Sequence, residues 1–286
     1  MSSPETQASA TTTFKTNVPA VNQVRRILLT AGLPYELVDL VLNYAEYFAR
    51  HTTKRVTHLR VQASSDPLNN AKWMYMVSDP IIQVQREDGS VVPPNIQDVK
   101  FRLRSSDQGW GGFSEGKNTY RNSYTWFEAS ILRESTPGSS PTWLSSLLDS
   151  PVNYTFDLGA PGSSPSAVSS SSSDSTSLPV TEYAEYSELL SPYKLRTKRW
   201  LVQMNAQASR HIRTHTVTWS RSTSFNTSGD GGLNEEEYDE KTGSGRGLGF
   251  VEALRAGDRI ALVARALYPG WENNVYEAEI EVAYQT

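Results

Sequence analysis

The sequence predicts a mainly β fold, an antiparallel β-sandwich of jelly-roll type preceded by a short helical hairpin. Three observations predict it. Beyond about residue 55 the apolar residues recur at every second position, as in Asp258 to Leu267, where Ile260, Leu262, Ala264 and Ala266 share a face. From Val275 to Tyr284, Glu277, Glu279 and Glu281 oppose Tyr276, Ala278, Ile280, Val282 and Tyr284, an alternation that belongs to antiparallel sheets with one wet side. Eight to ten segments of this kind, with turns between them, point to two packed sheets.

The totals narrow the class further. A chain of 286 residues is long enough for a sizeable core. A formal charge of −4 with scattered lysines and arginines argues against a nucleic-acid partner. The absence of cysteine removes disulfides, thiolate metal sites and a cysteine nucleophile. The first residues, MSSPETQASATTTFKTNVPA, lack the apolar stretch of a signal peptide, and no apolar run is long enough to span a bilayer, so the expectation is an intracellular chain without membrane contact.

In chain order, residues 1–20 are Ser, Thr, Ala and Pro-rich and are expected to form a disordered tail. Residues 21–54 are read as the helical hairpin. Asn22 can cap its first helix, in which Val24, Ile27 and Leu28 share a face and which Gly32 ends. Pro34 fits the first turn of the second helix, where Leu37, Val41, Tyr44 and Phe48 recur with Leu40 and Tyr47 beside them. So short and one-faced a hairpin must pack on the rest of the chain or on a partner. Residues 55–286 are taken as one sandwich domain. Its strands are read at Val56 to Ala63, Trp73 to Val77, Ile81 to Gln85 paired with Ser90 to Val92, Arg199 to Ala208, Ile212 to Trp219, and the two segments named above. Two interruptions break the domain: a Ser-rich insertion at about 135–180, expected to be disordered apart from a short helical piece at Thr142 to Leu148, and an acidic, Gly-rich loop at about 222–247.

The chain is organised around Asp98 to Ile131. Val99, Phe101 and Leu103 alternate with Lys100, Arg102 and Arg104, and the strand then breaks into Ser105-Ser106-Asp107-Gln108-Gly109-Trp110-Gly111-Gly112. A second strand from Ser123 to Ile131 carries aromatics on both faces. Near the end of the chain, Tyr268-Pro269-Gly270-Trp271-Glu272-Asn273-Asn274 places another tryptophan and two amides in a turn. Sugars and planar ligands are gripped by an aromatic face with amide and charged donors, so Arg104, Asp107, Gln108, Trp110, Trp271 and Asn273 form the candidate ligand-binding set. The alternative is that Trp110 and Trp271 fold back as lids on the sandwich. Trp126, Trp200 and Trp219 lie in strands and are expected in the core.

Other chemistry has little support. His211 and His215 are four apart in a strand-forming segment, about 13 Å along a strand and too far for one ion, so no metal site is expected. His51 and His58 flank the helix-to-strand junction. No phosphate-binding loop or nucleophile elbow occurs, and Gly243 to Gly249 reads as a flexible lead into a strand at Phe250. No cofactor and no catalytic residue is assigned. A hydrolase would need carboxylates such as Asp107 and Glu128 within about 10 Å of each other across a cleft.

The blocks QGWGG with SYTWFEASI, WLVQMNAQA with HTVTW, and GFVEALRAGDRIALVARALYPGWENNV resemble a family of uncharacterised fungal proteins that repeat them in this order. The resemblance covers most of residues 33 to 285 and implies an intracellular β-sandwich without supplying an activity. Leu33 to Leu42, LPYELVDLVL, is similar to the opening of an F-box, which implies a link to a ubiquitin-ligase component through the hairpin. The expected function is therefore a non-enzymatic binding module whose aromatic loops take a glycan, peptide or protein partner. The rival is an F-box-like adaptor in ubiquitin-dependent turnover.

Overall fold

The computed structural model describes residues 16–64, 69–85, 91–111, 116–133, 199–221 and 238–285. The expected Ser-rich insertion, with its short helical piece, lies outside these residues, as do residues 1–15 of the expected tail and 222–237 of the acidic loop.

Two helices come first. The helix α1 (Val18–Thr30) starts earlier than the expected cap at Asn22: Asn17 is the N-cap, its Oδ1 accepting the Ala20 amide at 3.0 Å, and Pro19 occupies the first turn, where no amide proton is needed. Asn22 lies inside the helix and accepts Arg25 Nη1 at 3.2 Å. Residues 16–20 therefore belong to the helical pair and not to the tail. The helix α2 (Tyr35–Tyr44) follows after Pro34. Val21 of α1 and Val38 and Leu42 of α2 enter the same apolar core as the strands, so the hairpin is part of the sandwich rather than an appendage.

The first strand begins at Ala49, inside the range read as hairpin. The strands are β1 (Ala49–Arg55), β2 (Leu59–Gln62), β3 (Asn70–Val77), β4 (Val84–Gln85), β5 (Val91–Val92), β6 (Asn95–Ser106), β7 (Thr125–Leu132), β8 (Trp200–Met204), β9 (Arg213–Ser220), β10 (Arg259–Leu267) and β11 (Glu272–Gln285), with one helical turn, α3 (Phe250–Ala253), before β10. One sheet runs β1-β11-β6-β9, with β2 also paired to β11. The other runs β3-β10-β7-β8, and β4 with β5 makes a separate small hairpin. Every pairing is antiparallel. Without β2 and that hairpin, four strands remain in each sheet. The first and third of these eight flank the last, and the second and fourth flank the seventh, which is the two-Greek-key order of a jelly roll.

Alternation places the side chains as the sequence expects along most strands. In β6, Val99, Phe101 and Leu103 are buried between the sheets while Arg102 and Arg104 are exposed. In β11, Ala278, Ile280, Val282 and Tyr284 are buried. Tyr276 departs from this set. The register of β11 against β6 slips between Val275 and Glu277, so Val275 is the buried residue and Tyr276 turns outward, stacked on His58 with ring centroids 4.5 Å apart. Trp219 is buried as expected, but Trp126 and Trp200 are only half-buried. Trp126 lies on the outer face of its sheet, where its Nε1 donates to Glu128 at 2.9 Å and the Arg265 guanidinium sits 5.1 Å from its ring centroid.

The Gly-rich segment before α3 is a packed wall and not a flexible lead. The Met204 amide donates to Gly243 O at 2.8 Å and the Gly245 amide to Val202 O at 2.9 Å, so the segment covers the free edge of β8. Trp219 Nε1 donates to Gly245 O at 2.8 Å from the other sheet. A Cβ at Gly245 would overlap the Leu201 carbonyl oxygen, so only glycine permits this approach. Phe250 then begins α3, correcting the expected strand. Its ring meets those of Trp219 and Trp200 edge-on at 4.8 and 4.9 Å, closing the core at that side.

Candidate functional site

The end of the sandwich where β6 stops and β11 starts gathers most of the residues singled out from the sequence, and it is built in two layers. The lower layer is polar and buried. Asn273, the second residue of β11, donates from Nδ2 to Trp126 O at 2.9 Å and Arg265 O at 3.3 Å, reaching two strands of the facing sheet. Its Oδ1 accepts Asn205 Nδ2 at 2.9 Å, and Asn205 Oδ1 accepts Ser105 Oγ at 2.7 Å. Asn205 Nδ2 also donates to Thr125 Oγ1 at 3.1 Å. Ser105, Thr125, Asn205 and Asn273 are all buried, and each amide has donors and acceptors matched inside the protein.

Asp107 and Gln108 belong to the same layer. The Asp107 carboxylate accepts the Gln108 and Ala208 amides, both at 2.7 Å. Gln108 bridges the two aromatic loops: Nε2 donates to Trp110 O at 2.6 Å, and Oε1 accepts the Glu272 amide at 3.1 Å. Arg210 Nε donates to Gln108 O at 2.9 Å, and its side chain lies across Gly109.

The upper layer is aromatic. Trp271 is buried, with its ring beside Gly111 and edge-on to Tyr124 at 4.9 Å. Tyr124 also meets Tyr268 edge-on at 4.8 Å. Trp110 stands above them, 53% exposed, with Tyr268 at 48%. Gly270 has φ +87°, and a Cβ there would come within 2.7 Å of Trp110 Cη2, so the turn needs glycine both for its backbone and for the ring that lies over it. The turn itself is pinned from below: the Gly270 amide donates to Ala63 O at 3.1 Å and the Tyr268 amide to Asn69 O at 2.7 Å.

Of the six residues in the candidate set, the structure brings five together. Trp110 is at the surface, Trp271 is a buried lid, and Asp107, Gln108 and Asn273 have their polar atoms engaged within the base. Arg104 is apart from them. It lies on the outer face of its sheet, opposite Glu277 and 6.0 Å from the Tyr276 ring centroid. Tyr124, Tyr268, Arg210 and Asn205 were not singled out. Tyr268 was legible as the residue opening the Pro269-Gly270-Trp271 turn, whereas Asn205 carries no local signal, because its partners lie 68 to 100 residues away.

The carboxylate pair considered for hydrolysis does not line one cleft. Glu128 is on the outer face of its sheet, its Oε2 2.6 Å from Arg265 Nη1, while Asp107 is under the loops of the other sheet. The two histidines of HIRTH are also separated: His211 lies exposed in the turn before β9, and His215 points inward from β9 with Nε2 3.1 Å from the Tyr120 hydroxyl. Among the described residues no three of His, Asp and Glu are grouped to hold a metal ion, and no helix is long and apolar enough to cross a membrane. No family model matches the chain, and no curated protein or solved structure matches it.

Two buried groups set opposite pH dependences. Burial, reinforced by the Arg213 guanidinium, lowers His215 from 6.5 to about 4. Burial pushes the Asp107 carboxyl up to about 7 despite its two backbone hydrogen bonds. The unfolded chain therefore binds the His215 proton more readily, and the stability this site contributes is lost as pH falls from 6.5 through about 4. For Asp107 the contribution is present below 3.8 and is lost as pH rises through about 7. Between neutral pH and pH ~4, the His215→Gln protein is expected to lose less stability than the wild type, by on the order of 3 kcal/mol. Urea denaturation across that range measures the difference, and equal losses in the two proteins contradict the assignment.

Proposed function

We propose that the chain is a non-enzymatic binding module whose aromatic end takes a glycan, peptide or protein ligand through Trp110 and Tyr268. The observation that carries this reading is a half-exposed tryptophan fixed on a base whose polar groups are already matched. A large exposed indole on a fixed backbone loses little freedom on binding, and its face suits sugar C–H groups or proline rings. Tyr268, half-exposed and packed edge-on against Tyr124, adds a second aromatic ring at this end. Arg210 adds a cation beside Gly109.

Labelled protein screened on glycan and peptide arrays supplies the test. Trp110→Ala is expected to reduce binding of any ligand found there by about tenfold or more while changing stability by less than about 1 kcal/mol. Trp271→Ala is expected to destabilise the fold by about 3–5 kcal/mol, as a buried indole should. Ligands retained in full by a Trp110→Ala/Tyr268→Ala protein would overturn the proposal.

A second reading has its own observation. The face of α2 formed by Leu37, Leu40, Val41 and Tyr44 is exposed, which favours the adaptor role, with the hairpin meeting a ubiquitin-ligase component and the sandwich receiving the substrate. Removing residues 21–54 would not test it, because β1 and the core residues Val21, Val38 and Leu42 would be lost as well. A point substitution does. Intact protein should capture ligase subunits identified by mass spectrometry, and Leu40→Asp should abolish that capture at unchanged melting temperature. No ligase subunit captured by the intact protein would end this reading.

A further inference from the structure

The orientation of α2 is fixed by the residues it buries. Val38 and Leu42 enter the core with Val21 of α1, and the Arg25–Asp39 ion pair at 3.0 Å ties the two helices together. A different apolar stripe is left facing outward: Leu37 is 48% exposed, Leu40 61%, Val41 43% and Tyr44 93%. These positions are i, i+3, i+4 and i+7, so they form one continuous ridge about two turns long. Isolated exposed leucines need no explanation, but a full helical stripe does.

The charges carried by α2 and the turns on either side of it are one-sided, with Arg25 and Arg26 of α1 before them and Arg50 of β1 after. From Ile27 to Ala49 the chain has no lysine, arginine or histidine, while it has Glu36, Asp39 and Glu46. Asp39 is matched by Arg25, and Glu36 and Glu46 are exposed. This pattern selects among occupants. A helix that lies on a membrane carries basic residues beside its apolar face, and anionic headgroups would repel this rim. A two-fold contact between copies of the chain would set two acidic rims against each other. A helix with an apolar face flanked by lysine or arginine meets both features of the ridge.

We propose that α2 is a docking ridge for a basic amphipathic helix of another protein, with Leu37, Leu40, Val41 and Tyr44 supplying the apolar contact and Glu36 and Glu46 the charge selectivity. This shares with the adaptor reading only the premise that α2 faces a protein; the partner's chemistry is the addition, and it is independent of the aromatic end.

The test uses two fluorescent synthetic helices with leucine at the same i, i+3, i+4 and i+7 positions, one with lysine on the flanks and one with glutamate. Anisotropy titrations with the full chain at low and high salt are expected to show the lysine peptide binding at least about tenfold more tightly, with the preference shrinking as salt rises. Leu40→Asp should weaken that binding about tenfold at unchanged melting temperature. Glu36→Lys with Glu46→Lys should reverse the preference between the peptides. The proposal is overturned if neither peptide binds, if both bind alike, if Leu40→Asp leaves binding unaltered, or if sedimentation shows a dimer that Leu40→Asp dissolves. It is also overturned if α2 binds phosphatidylserine vesicles in place of the peptides. Loss of the peptide preference while Leu40→Asp still abolishes ligase capture would remove this inference and leave the adaptor reading standing.

Discussion

The loop end of this sandwich depends on the hydrogen bond between Asn205 and Asn273. Sheets that pack face to face are held by apolar burial, which is strong but has no direction, and at the end of a sandwich the strands diverge and that burial thins out. Here the gap is filled by amides instead. Asn273 reaches from one sheet to the carbonyls of Trp126 and Arg265 in the other, and Asn205 returns the connection to Ser105. A buried amide left unmatched would cost about 1–3 kcal/mol, so the network tolerates one arrangement of the two sheets and disfavours neighbouring ones.

That constraint explains what lies above it. With the start of β11 held, the turn before it is held as well, and Gln108 transmits the restraint to the other loop by accepting from Glu272 and donating to Trp110. Trp271 fills the space below and Trp110 has nowhere to sink, so its ring lies over Gly270 and remains at the surface. The exposure of one tryptophan thus follows from the burial of the other. At the hairpin the logic is similar: Val38 and Leu42 satisfy the core, and the second apolar stripe of α2 has no place in it.

The fold was legible because period-two alternation survives in β6, β9, the inner-face residues of β10 and most of β11, and because glycine and proline mark the turns between them. What the sequence hid has physical reasons. A bulge shifts Tyr276 from the inner to the outer face, and no local pattern announces a bulge. Gln203, Asn205 and Gln207 alternate with Val202, Met204 and Ala206 as a wet face would, yet all three are buried, since their partners come from distant strands and edge loops. Asn17 and Pro19 open α1 from within a stretch whose composition resembles the tail before it. Glycines and tryptophans mark the two aromatic loops in the sequence, but the division of Asp107, Gln108 and Asn273 into the base and Trp110 into the surface is a tertiary outcome.

The central claim is a rigid buried base beneath an exposed indole, and hydrogen exchange followed by NMR tests both halves in one sample. The side-chain amide protons of Asn205 and Asn273 should exchange only through global unfolding, while the Trp110 indole proton exchanges on the timescale of open surface. Fast exchange at the two asparagines would mean that the sheets are not tied at this end, and a protected Trp110 indole would mean that the surface proposed for binding is closed.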